Sequence, residues 1–232
     1  MRALPAGLAD RVKAATPVAG RTLPVPKPLA SLFPSGSLRR GSTVTVTGRP
    51  GHGATTLALA LLAAASEAGS WCAAVGLPDP GVVAAAGLGL DLRRVVFVPH
   101  PGSGWAEAAG DLLSGVDAVL VRPPGRAPLG AARHLAARAR DRQAALVVLL
   151  EGERSWPQGG DVALSVGDVE WEGVERGHGY LGGRRARVRV SGRRGAERGG
   201  TRALWLPAGT GVVAGEEGLS PGSDPGSGPA AA

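Results

Sequence analysis

The chain has 232 residues, with 26 Lys and Arg against 19 Asp and Glu for a formal net charge of +7. Hydrophobic residues make up 44%, enough for one core and against general disorder, while the one Cys72 excludes a disulfide framework or a thiolate metal site. No apolar run approaches the ~18 residues of a membrane span and the first residues are too polar for a signal peptide, so we expect a cytoplasmic protein with no membrane partner. Only Lys13 and Lys27 are lysines; every later fixed cation is arginine. A GC-rich coding bias would favour the same Arg, Ala, Gly and Pro, so net charge alone names no partner.

In chain order, residues 1–41 read as a short helix at Gly7–Ala15 followed by a proline-rich arm, LPVPKPLASLFPSGSLRRG. The β-branched run Ser42–Thr47 is a strand, and it leads through GRPGHGATT into an apolar helix from Thr55 to Glu67, ended by Gly69. Strand and helix signals then alternate. Strands are expected at Trp71–Gly76, Val95–Pro99, Val116–Val121 and Ala145–Leu150, and helices at Gly81–Gly87, Trp105–Leu113 and Leu129–Arg142. Several of the strands are continuously apolar, as in a parallel sheet covered on both faces, so the fold class is α/β with three layers. From Asp161 the pattern changes to short strands, DVALSV, VEWEGV, RARVRVS and TRALWLP, which fit antiparallel ribbons on the sheet edge. The core is thus 42–207, and 208–232, rich in Gly, Pro, Ser and Ala, is expected to be a disordered tail.

The turn Gly48-Arg49-Pro50-Gly51-His52-Gly53-Ala54-Thr55 has the spacing of a phosphate-binding P-loop, except that Ala54 stands where that motif has lysine. Glycines let backbone N–H groups wrap a phosphate at a helix N-terminus, and a Thr hydroxyl orients toward a metal; both features survive here. The lysine supplies the cation that reaches the terminal phosphates in transfer, and it is absent. The strand at Val116–Val121 starts with Asp117 but ends in Arg122, where the metal-side carboxylate of such folds would stand, and Asp79 is the one acid left to activate a water. The candidate loop residues are Gly48, Gly51, Gly53, Thr55 and Thr56, with no catalytic residue and no metal ligand assigned.

Positive charge concentrates near the end of the core. Arg184 to Arg202 holds eight arginines against the single Glu197, a net of +7. Alternation in RARVRV puts Ala186, Val188 and Val190 on one face and Arg185, Arg187 and Arg189 on the other. Arg184, Arg185, Arg187, Arg189, Arg193 and Arg194 are therefore the candidate nucleic-acid or partner surface, with edge protection and solubility as the competing explanation. Helical arginines between 133 and 142 read as a solvated face. Aromatic residues, 3% of the chain, are too dispersed for a base-stacking surface. Trp71 and Phe97 read as core, Trp156 as loop packing or a partner anchor, and His178 in GHGY as structural.

Taken from Leu23 to Pro207, the arm, the GHGATTLALALLAAASEAGSWCAAVGLPD block, LGLDLRRVVFVPHP, VDAVLVRPPG and WEGVERGHGYLGGRRARVRVSG resemble RecA-like proteins. More closely, the chain resembles the ImuA-type accessory factors of actinobacterial DNA-damage-induced mutagenesis. The resemblance implies a RecA-like P-loop core whose first strand and loop bind ATP with Mg in active members. It also implies partners: an inactive Y-family-like polymerase subunit, an error-prone replicative-type polymerase, and RecA itself. Departures at Ala54 and Arg122 lead us to expect a non-catalytic adaptor in DNA repair and translesion synthesis (SOS mutagenesis), without a cofactor, contacting polymerase-complex proteins and DNA. A nucleotide-binding ATPase with a degenerate loop and a RecA-like regulator of cell division or the SOS response are the alternatives. The links RPPGRAP and EGERSWPQGG, where RecA proteins carry mobile DNA-binding loops, are short.

Overall fold

The alternating strand and helix signals close into a single mixed sheet with helices on both faces. The computed structural model describes residues 20–152, 154–173, 182–193, 200–207 and 213–215. Thr22–Leu23 (β1) pairs antiparallel with Leu38–Arg39 (β2), and between them Lys27–Ala30 makes one helical turn, α1. Then follow Thr43–Gly48 (β3), Ala54–Glu67 (α2), Cys72–Val75 (β4), Val82–Gly87 (α3), Val95–Val98 (β5), Trp105–Leu112 (α4), Ala118–Val121 (β6), Leu129–Arg142 (α5) and Ala145–Glu151 (β7). The last part holds Val162–Glu172 (β8), Gly183–Ser191 (β9), Thr201–Trp205 (β10) and Ala214–Gly215 (β11).

Among the described residues the main sheet has nine strands in the order β11-β10-β9-β8-β3-β7-β6-β4-β5. From β8 to β5 every neighbouring pair is parallel, whereas β8 to β11 are antiparallel. The fold is thus α/β, with a mostly parallel sheet and an antiparallel C-terminal ribbon. Parallel neighbours need a crossover, and helices supply it. Alternate strand residues divide between two cores. Cys72, Ala74, Ala118, Leu120, Val147 and Leu149 join α2 on one face, and Ala73, Val75, Val119, Val121, Leu146 and Val148 join α4 and α5 on the other. That is why these strands read as continuously apolar. The proline-rich arm lies on the α2 face, where Leu23, Leu29, Leu32 and Leu38 are almost fully buried together with Ala186, Val188 and Leu204 of the ribbon. Each such burial contributes about 1.5–3 kcal/mol, so the arm is part of the core.

Two segments differ from expectation. DVALSV and VEWEGV form one long strand, β8, because a bulge between Gly167 and Val169 absorbs the extra residue; Asp168 there has φ 45°. Ala214–Gly215, placed by composition in the C-terminal tail, pairs with Leu204 and Trp205 while the adjoining Val213 is buried. Val213 joins the buried cluster that holds Leu204 and Leu206. The expected helix at Gly7–Ala15, His178 and the remainder of 208–232 lie outside the described residues. Trp156, 4% exposed, is buried in the core on the α4–α5 face, whereas Trp71 and Phe97 are half-buried at the core margin.

At the amino-terminal edge of the sheet a buried ion pair joins the arm to the core. Arg40 Nη1 donates to Asp117 Oδ1 at 2.7 Å and to the Gln143 carbonyl at 3.3 Å, and the Trp71 N–H donates to Asp117 Oδ2 at 2.9 Å. Four segments meet there: the arm, the start of β4, the start of β6 and the end of α5. Removing one partner of a buried pair leaves the other charge uncompensated. Asp117→Ala is therefore expected to lose about 3–5 kcal/mol in urea unfolding, and the double replacement Arg40→Met with Asp117→Leu to recover most of it.

Cys72, fully buried in β4, feels the same charges. Burial chiefly, then the Asp117 carboxylate, pushes its thiol from an ordinary 9.0 to about 12, with Arg40 acting in the opposite direction. The folded value is raised, so the unfolded chain ionises first as pH rises; stability from this group is intact below about 9 and falls between 9.0 and about 12. Alkaline unfolding curves across that window should fall less steeply for Cys72→Ala than for the native chain, and the native thiol should resist alkylation at neutral pH until unfolded.

Candidate functional site at the glycine turn

The turn follows β3 at the carboxyl edge of the parallel strands, the edge where open α/β sheets bind ligands. Gly48 pairs with Glu151 on one side and Val166 on the other, and the Gly152 N–H donates to the Gly48 carbonyl at 3.0 Å. The His52 N–H donates to the Arg49 carbonyl at 3.1 Å, closing a tight reversal, and Gly53 begins α2 with φ 97°. A side chain at Gly53 would strain a left-handed backbone, and a Cβ there, 2.6 Å from Arg184 Nη2, would oblige the guanidinium to shift. Thr55 is exposed and Thr56 half-buried, and Ala54, in the lysine slot, is buried against the core.

Arg184 dominates the site. It enters from β9, 6% exposed, and its Nη1 donates to the Gly51 carbonyl at 2.7 Å while Nη2 donates to Thr56 Oγ1 at 3.1 Å. Its Cζ lies 4.9 Å from the centroid of the Trp171 ring, so the guanidinium is held between an indole face and the turn. Burial pushes its pKa below the usual arginine value. Nε faces no protein acceptor, and no carboxylate stands within ion-pair distance of this side chain among the described residues. A cavity of about 160 Å³ remains, lined by Gly48, Arg49, Ala54, Thr55, Glu151 and Arg184. A larger one, about 380 Å³, opens at the opposite edge beside Arg39, Ser42, Arg140 and Asp161.

Acidic groups are arranged unhelpfully for phosphoryl transfer. Asp117 is at the far edge in its pair with Arg40. Glu151 faces the turn but receives a hydrogen bond from Arg122, just past the end of β6, so its charge is matched there. Asp79 is exposed in the loop after β4. ATP with Mg, as the resemblance implies for active relatives, does not fit this donor set: the lysine is missing, and a protein guanidinium already engages the turn through a carbonyl and a hydroxyl.

Of the expected arginine surface, the structure separates the members. Arg184 points inward to the turn. Arg185 and Arg187 are on the outer face, opposite acids of β8: Arg185 to Glu170 at 3.7 Å and Arg187 to Asp168 at 3.8 Å. Arg189 and Arg193 are exposed, and Arg194 lies outside the described residues. On α5, Arg138 reaches Ser114 and Asp111, while Arg133, Arg140 and Arg142 are exposed. The role of Arg184 was missed although its signal was present. The alternation that buries Ala186 and Val188 also turns residue 184 inward.

The sequence profile of the MT3502 N-terminal domain matches residues 31–158, more than half of the chain. The chain belongs to this family. The matched stretch runs from the proline-rich arm through the glycine turn to the loop after β7, and it ends before β8 and β9. An uncharacterised protein of Mycobacterium tuberculosis (strain ATCC 25618 / H37Rv), Rv3395c, is 40% identical to this member over 97 residues, 41% of the chain. The match spans about half, 48%, of that relative's length. Among the described residues of this family member, no helix is long and apolar enough to cross a membrane, and no group of three His, Cys, Asp or Glu side chains is placed to hold a metal ion.

Proposed function

We propose that the protein is a RecA-like, non-catalytic adaptor in DNA-damage tolerance, of the ImuA type, that presents a P-loop-derived core to the polymerase-complex proteins of damage-induced mutagenesis. The observation that carries this reading is the state of the glycine turn. A strand, turn and helix of phosphate-loop spacing are retained at the carboxyl edge, with β3 flanked by parallel strands on both sides. Yet Ala54 stands in the lysine slot, Arg122 is tied to Glu151, and Asp117 is used structurally at the far edge. A scaffold retained without its transfer chemistry fits a binding role.

The test has two arms. Mg-ATP titration and hydrolysis assays are expected to give no turnover. In a host exposed to DNA damage, tagged protein is expected to co-purify with an inactive Y-family-like subunit or an error-prone polymerase, and loss of the chain to abolish induced mutagenesis. Sustained ATP turnover removes the non-catalytic part of the reading, and intact induced mutagenesis removes the pathway.

DNA contact is the second element of the reading, and it rests on exposed Arg189 and Arg193, which no carboxylate pairs among the described residues. Arg185 and Arg187 are already matched by acids across the ribbon. Replacing Arg189 and Arg193 by Gln is expected to lower the slope of log affinity against log salt by about 1 per lost phosphate contact. An unchanged slope assigns the ribbon to protein contact or solubility.

A further inference from the structure

The turn at Gly48–Thr55 engages the protein's own cation through oxygen acceptors. A phosphate in such a turn is held by backbone N–H groups and favoured by the positive end of the helix behind it. Here two of the groups turned toward the occupant are acceptors, the Gly51 carbonyl and the Thr56 hydroxyl, and both receive hydrogen bonds from Arg184. The guanidinium also takes the space beside Gly53, the N-cap of α2, that a Cβ there would need. A cation at a helix N-terminus is of the wrong sign for the helix dipole. Its position is sustained by those acceptors, by the Trp171 face, and by the backbone around it: the Arg184 N–H donates to the Pro207 carbonyl at 3.0 Å, and its carbonyl accepts from Leu206 at 2.7 Å.

Arg184 belongs to a part of the ribbon that extends past the end of β3. Gly48, the last residue of β3, pairs with Val166, and beyond the bulge Val169–Glu172 continues only with Gly183–Ala186 of β9. This overhanging arm has no parallel strand beneath it. Its Glu170, Trp171 and Glu172 are exposed, and its side-chain hydrogen bonds to the turn come from Arg184.

We propose that the glycine turn is a self-occupied site: Arg184 is its resident ligand, taking up the Gly51 carbonyl and the Thr56 hydroxyl and fastening the overhanging β8–β9 arm to the turn. The contact links two regions separated by more than a hundred residues, so arm and turn open together. This goes beyond the adaptor reading, because an adaptor with a freely open turn is equally conceivable, and the experiment below does not use polymerase partners or mutagenesis.

The test compares the native full-length chain with Arg184→Met by amide hydrogen exchange and by calorimetric titration with pyrophosphate. In the native chain, millimolar pyrophosphate is expected to give no saturable heat. In Arg184→Met, exchange is expected to rise at least several-fold at both 51–56 and 169–172, with 72–75 and 118–121 unchanged, and Trp171 emission to shift as its cation leaves. Trp171→Phe identifies that signal among the five tryptophans. Thr56→Val removes one acceptor and keeps the fold if Arg184→Met does not; a smaller rise in the same two segments is expected. Exchange confined to β9, with the turn unchanged in both variants, overturns the fastening. Saturable pyrophosphate binding by the native chain that is lost in Arg184→Met overturns the self-occupation, because Arg184 would then be a ligand for the anion.

Discussion

Hydrogen bonding along both edges of β3 is the constraint from which the rest of the molecule follows. Held between β7 and β8, and parallel to both, the strand has no free edge, and its direction fixes the carboxyl ends of its neighbours at one side of the sheet. The glycine turn, the end of β6 with Arg122 and the end of β7 with Glu151 are brought together for that reason. The amino ends gather on the other side, where Arg40 and Asp117 compensate each other out of water. Charges at the two edges therefore do different work. At the amino edge they are paired and fix four chain segments. At the carboxyl edge, Arg122 consumes the one acid beside the turn and Arg184 is balanced by dipoles and an aromatic ring.

Much of the fold was legible in the sequence because its strands are short, apolar and separated by clear turn residues. β3 to β7 and their helices lie within a few residues of where periodicity puts them. The ribbon was legible in kind but not in detail. The bulge at Asp168 has no strong local signal, since a Gly-Asp pair between two apolar runs reads equally well as a turn. Seating of Val213 depends on a tertiary contact, so local composition conceals it.

For the site, sequence spacing identified the glycine turn and Ala54 within it. It could not show which side chain from elsewhere in the chain engages that turn. Counting arginines in the 184–202 stretch treats them as one surface, whereas a strand sorts them by parity. Arg184 differs from Arg185 by one position and by everything else: depth, partners and the side of the sheet. Likewise the acids facing Arg185 and Arg187 come from the neighbouring strand β8, and only the bulged pairing register shows that these two arginines are matched internally.

The bulge at Asp168 has a consequence for the electric field above the turn. Before it, even-numbered residues of β8, Val162, Leu164 and Val166, face the core; after it, Val169 packs against that core and Trp171 covers Arg184, while Glu170 is on the side of Arg185. One inserted residue exchanges the two faces. Were the same residues paired regularly, with no bulge, Glu170 and Glu172 would turn inward and Glu170 would fall opposite Arg184. Backbone register, set by a single residue, thus decides whether the space over the turn is neutral or cationic.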